Sequence, residues 1–116
     1  MRYLILSCAA LCLFAQPGED LAKALSSPRE RIDSIDSRIV ALLNERAAVV
    51  REAGMIKQRY QAPASAPGRE EQVVRLVSRQ ARAPLTPPAV EAIYRTILRE
   101  MSSMEAAEME KAAKAQ

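Results

Sequence analysis

The chain has 116 residues, 49% of them hydrophobic, with one Phe, three Tyr and no Trp. That length allows one small domain, and an aliphatic core suits helix packing better than a β-sandwich, so the composition points to an all-α fold. There is no His, and both Cys lie in the N-terminal apolar run, which argues against N/S-ligated zinc or copper sites, Cys–His nucleophiles and Ser–His–Asp triads.

A formal charge of +3, with acids and bases interleaved, fits a solvated helical surface better than a nucleic-acid footprint. Met1 to Ala15, MRYLILSCAALCLFA, has one basic residue, an apolar run and then small residues. It is too short for a comfortable bilayer span and has the shape of a secretory signal peptide, with a cut after Ala15. The expectation is an exported protein, periplasmic or secreted, without stable membrane association once the signal is removed. Lipidation at Cys8 or Cys12, a cytoplasmic location, and an extra N-terminal turn packed on the domain are the alternatives.

Residues 16–26 read as a polar lead-in, and the domain proper as 27–108. Ser27-Pro28-Arg29-Glu30 has the marks of a helix start: a capping Ser, Pro at the first position and a Glu to complete a capping box. From there to Tyr60, apolar residues recur at Ile32, Ile35, Ile39, Leu42, Val49, Ala53 and Ile56, in steps that make one buried seam. Gly54 is the weak point of this helix. A helix of about 33 residues would reach ~50 Å, beyond the ~30 Å of a small domain. A partner chain is therefore expected to cover it.

Gln61 to Gly68, QAPASAPG, reads as a loop. A second helix is expected from Arg69 to about Arg82, with Val73, Leu76 and Val77 inward, before Ala83-Pro84-Leu85 breaks it. Thr86-Pro87-Pro88 starts a third helix whose stripe is Val90, Ile93, Tyr94, Ile97, Leu98 and Met101. Four residues past Met101 the same face carries Glu105. Residues 109–116 read as a polar, fraying tail.

Several charges fall on faces that are otherwise apolar. Arg46 occupies the seam position after Leu42, and a guanidinium there is costly unless an anion meets it or it snorkels to solvent. Arg29 and Lys57 share that face, because separations of 17 and 11 residues return close to a full turn. Arg29, Arg46, Lys57 and Arg69, together with Glu70 and Glu105, would suit a small organic polyanion. Arg46 and Lys57 could touch one ligand, but Arg29 lies ~25 Å from Arg46 along the helix. Antiparallel pairing of two long helices would let Arg29 of one chain complete the site of the other.

Arg29-Glu30-x-Ile32-Asp33-x-Ile35-Asp36, Leu42-Leu43-x-Glu45-Arg46, Lys57 and Arg69-Glu70 together resemble the pattern of the AroQ-type chorismate mutases. The likeness extends over about Ser27 to Glu105. It implies an intertwined homodimer of three-helix chains that rearranges chorismate to prephenate without a cofactor. Arg46 and the partner's Arg29 would hold the substrate carboxylates, Lys57 would donate to the ether oxygen, and Arg69 would add positive field. Glu70 would accept from the ring hydroxyl, and Glu105 would face the ether oxygen, where it must be protonated to donate. Ala66 stands where many members have Asp, and Met101 where some have Ser. An isochorismate pyruvate lyase-like enzyme on the same fold is the nearest alternative, although Glu70 after Arg69 resembles the mutases more. A non-catalytic exported helical dimer is the alternative from another class, and it leaves Arg46 on the seam unexplained.

Overall fold

The computed structural model describes residues 17–115, so the N-terminal run read as a signal peptide lies outside the described residues. Three helices follow in order: α1 (Pro17–Arg59), α2 (Pro67–Ser78) and α3 (Pro87–Lys114). The chain divides into two compact units between Val40 and Ala41. None of the described helices is long and apolar enough to cross a membrane.

The first correction concerns where α1 begins. Pro28 lies inside the helix, not at its start, and the stretch read as a lead-in is helical from Pro17. Leu21, Ala22, Lys23, Ala24 and Leu25 are all strong helix formers, and Pro17 supplies the favoured first-turn proline. Pro28 withholds one N–H, but Ala24, whose carbonyl would have received it, is exposed, so water can satisfy that oxygen.

At its other end α1 closes with a Schellman turn. Gln61 has φ 52°, in the left-handed region, its N–H donates to the Gln58 carbonyl, and the Ala62 N–H donates to the Lys57 carbonyl at 2.9 Å. This pattern satisfies carbonyls that the helix end would otherwise leave open.

The second helix is displaced from its expected span. Pro67 takes the first-turn position, so α2 begins ahead of Arg69. It ends at Ser78, where Gln80 N–H donates to the Val77 carbonyl and Ala81 N–H to the Ser78 carbonyl. These tighter bonds close the last turn before the Ala83–Pro84 break.

Helix α3 starts as its sequence implies, with the Thr86 side chain accepting from the Ala89 N–H at 3.3 Å. Its far end differs from expectation: the stretch read as a fraying tail stays helical to Lys114. Ala, Glu, Lys and Met all favour helix there. Lys111–Glu108 and Lys114–Glu110 pair along its surface at 3.0 and 2.6 Å.

Helices α2 and α3 pack through Val74, Val90 and Leu98, the buried apolar residues among those described. A guanidinium ties the same two helices at the surface. Arg95 on α3 donates to both Glu71 oxygens on α2 and to Glu91 one turn back on its own helix. The hydrogen bond from Arg95, reinforced by its charge, holds the Glu71 carboxyl below the usual carboxylate range. The seam of α1 is solvent-facing in the single chain: Ile32, Ile35, Ile39, Leu42, Val49 and Ile56 are all about half exposed or more.

Candidate active site

The last turns of α1, the loop after it, the start of α2 and the middle of α3 line an open cavity of about 140 Å³. Arg46 and Lys57 reach it from α1, Arg69 and Glu70 from α2, and Glu105 from α3. Five of the six residues singled out by charge on an apolar face thus surround one space. Arg29 is exposed in the unit that precedes residue 41.

Lys57 is the best-anchored of these side chains. Its ammonium donates to Glu105 Oε1 at 2.7 Å and to the Ala64 carbonyl at 2.7 Å. The Schellman turn makes the second contact possible by folding the chain back after Arg59. Glu105 is buried, its side chain only 7% exposed, against 28% for Lys57. A carboxylate at that depth needs the ammonium beside it to offset its desolvation.

Arg46 is half-buried, and its Nη1 is buried without a hydrogen-bond partner among the described residues. An ionised donor left unpaired in a protein wall is expensive, and an anion in the cavity would relieve that cost. Arg69 is exposed and donates to Gln72 Oε1 at 2.8 Å. Glu70 Oε1 accepts from the Ser102 hydroxyl at 3.0 Å. Val50, Val73, Leu98 and Met101 form the apolar part of the lining.

Residues 28–106 match the family described as chorismate mutase type II. The chain belongs to that family. Among curated proteins, the T-protein of Enterobacter agglomerans is 34% identical to it over 82 residues. The match takes in 70% of this chain and 22% of that protein, so the chain spans about a fifth of its relative's length.

Within the type II chorismate mutase pattern, both departures noted from sequence fall on the cavity wall. Ala66 and Met101 line it directly. Ser102, one residue beyond Met101, also lines it and puts a hydroxyl beside Glu70. Its neighbour's position drew notice from sequence, yet Ser102 itself did not, because a step of one residue turns a helical side chain by about 100°. The Ala64 carbonyl left no signal at all, since a backbone acceptor has no side-chain signature.

Proposed function

We propose that the protein is a chorismate mutase, catalysing the rearrangement of chorismate to prephenate. Family membership supports the activity, and one observation carries it to these residues. Arg46 presents a buried, unpaired guanidinium N–H in a cavity that Lys57 and Arg69 also line. A small dianion is the ligand such a cavity suits.

In the proposed mechanism Arg46 and Arg29 of a second copy fix the two carboxylates of the extended side chain and ring. Lys57 has three N–H groups, two of them directed at Ala64 and Glu105, which leaves one for the ether oxygen. As the C–O bond breaks, negative charge grows on that oxygen, and the ammonium stabilises it more than in the ground state. Glu105 accepts from Lys57 and holds the ammonium in place beside the same oxygen. Arg69 adds positive field, and Glu70, oriented by Ser102, accepts from the ring hydroxyl. Bond making and bond breaking occur within one molecule, so the residues supply geometry and charge and form no covalent intermediate.

The proposed assembly is an intertwined homodimer. The half-exposed apolar seam of α1 is the surface a second α1 would cover, and two-fold pairing would complete two equivalent sites. Export by the N-terminal run is also proposed, and N-terminal sequencing of the protein recovered from periplasm or medium tests it: a chain still starting at Met1 in the cytoplasm defeats it.

The decisive experiment follows loss of chorismate by absorbance and identifies the product. Prephenate is expected. Consumption of isochorismate with release of pyruvate, and no prephenate, would favour the lyase-like alternative. No turnover of either would return the chain to the non-catalytic dimer.

A further inference from the structure

Gly54 lies inside α1, five residues before its last residue Arg59, where a glycine costs helix stability relative to alanine. Its backbone is ordinary helix, so no unusual dihedral angle calls for it. What singles it out is on the facing helix. A Cβ at position 54 would lie 3.1 Å from Glu105 Cγ and 3.4 Å from Glu105 Oε1. The first distance is shorter than ordinary carbon–carbon contact by several tenths of an ångström.

We propose that Gly54 is a positioning residue, its missing side chain setting where the Glu105 carboxyl sits against Lys57. Glu105 is the wall between two cavities. One is the candidate active site; the other, of about 290 Å³, is lined by Gly54, Gln58, Glu105, Glu108 and Met109 among others. Gly54 lines only the second. A methyl group there presses on Glu105 from behind and drives it toward the substrate.

Glu105 has little freedom to yield. Its Oε1 is held by Lys57 at 2.7 Å. One turn further along α3, the Met109 carbonyl accepts from Gln58 Nε2 at 2.7 Å, and Glu108 lies 3.7 Å from Arg51. The two ties leave α1 on either side of Gly54 and reach α3 one turn beyond Glu105, so moving the helices apart to relieve the contact at Gly54 would stretch both. The Met109 Cγ at 3.5 Å from the same Cβ position is ordinary packing and needs no adjustment.

The inference rests on the mutase reading for its kinetic consequence and on geometry alone for the contact, and a double-mutant cycle separates the two. Gly54→Ala is compared in the native and Glu105→Ala backgrounds by thermal midpoint and by kcat and KM for chorismate. In the native background the methyl should lower kcat about tenfold with KM nearly unchanged, since misplacement by ~1 Å can cost about a hundredfold. The thermal midpoint should not rise. In the Glu105→Ala background the clash is gone, so Gly54→Ala should raise the midpoint through helix propensity and leave the residual rate unchanged. Equal effects in both backgrounds would overturn the proposal. If the native chain proves inactive on chorismate, the mutase reading falls, while the midpoints still decide whether Gly54 places Glu105.

Discussion

Lys57 and Glu105, 48 residues apart in sequence, meet at 2.7 Å in a pair that is largely shielded from water. The pair joins the end of α1 to the middle of α3 and defines one side of the cavity. In the proposed reaction its two members have different tasks: the ammonium gives a hydrogen bond outward, and the carboxylate holds that ammonium in place.

Lys57→Ala should lower kcat by about 10²–10³, the usual effect of removing one donor from a developing oxyanion. Circular dichroism should show the helices retained, because Val74, Val90 and Leu98 still hold α2 against α3. A folded Lys57→Ala protein with undiminished turnover would remove the proposed mechanism altogether.

Glu105→Gln keeps an oxygen that can accept from Lys57 and adds a permanent donor. The Gln variant should therefore keep turnover, whereas Glu105→Ala, which has neither group, should lower kcat by about 10²–10³. Equal turnover in the Gln and Ala variants would deny Glu105 its role.

The seam of α1 and the misplaced Arg46 were legible in the sequence because both are properties of one helix and its period. Glu105 followed from continuing the α3 stripe by one step. Gly54 was read as a flaw, because the sequence of α1 holds no record of what packs against it. The helical tail beyond residue 109 was read as fraying for the same reason: Gln58 and Arg51, which anchor it, lie on another element. The start of α1 was misplaced because a proline that follows Ser27 and precedes Glu30 by two residues carries the same local marks whether it opens a helix or interrupts one. Periodicity identifies a face, whereas distance between faces is a tertiary property.

Glu71→Gln tests the link between α2 and α3. The hydrogen bond and charge of Arg95 lower the Glu71 carboxyl below its usual range, so its stabilisation is fully present above the ordinary carboxylate value. It is lost as pH falls through the lowered folded-state value. The native protein should be modestly more resistant to urea than the variant at neutral pH, and the gap should close in acid. A difference independent of pH would mean that the pair acts only by shape.

Gln61 holds a left-handed backbone conformation that costs a non-glycine residue about 1–2 kcal/mol. Part of that cost is recovered by substitution, so Gln61→Gly should stabilise the fold by up to ~1 kcal/mol after the extra chain entropy of glycine is offset. Denaturant titration measures it. A destabilised variant would indicate that the Gln61 side chain contributes more than the turn requires.

Arg29→Ala and Arg46→Ala should each be inactive alone. Refolded together, they form mixed dimers in which one site has both arginines and the other has neither, so about a quarter of native activity should return. No recovery, with mixed dimers demonstrated by mass spectrometry, would place both arginines at the same chain's site.

The Ala64 carbonyl that receives Lys57 Nζ gives the short connection between α1 and α2 an unusual intolerance to length. Surface connections ordinarily absorb insertions with little effect. Here the connection works as a ruler laid against the lysine, and one residue added between Ala62 and Ala64 would shift the acceptor that steadies it. Among the described residues, the bend between Arg79 and Thr86 holds no acceptor for a candidate site residue, so the same insertion there should leave the proposed site unchanged. Two loops of similar appearance would thus tolerate insertion differently, one bearing on the proposed site and the other only spacing two helices.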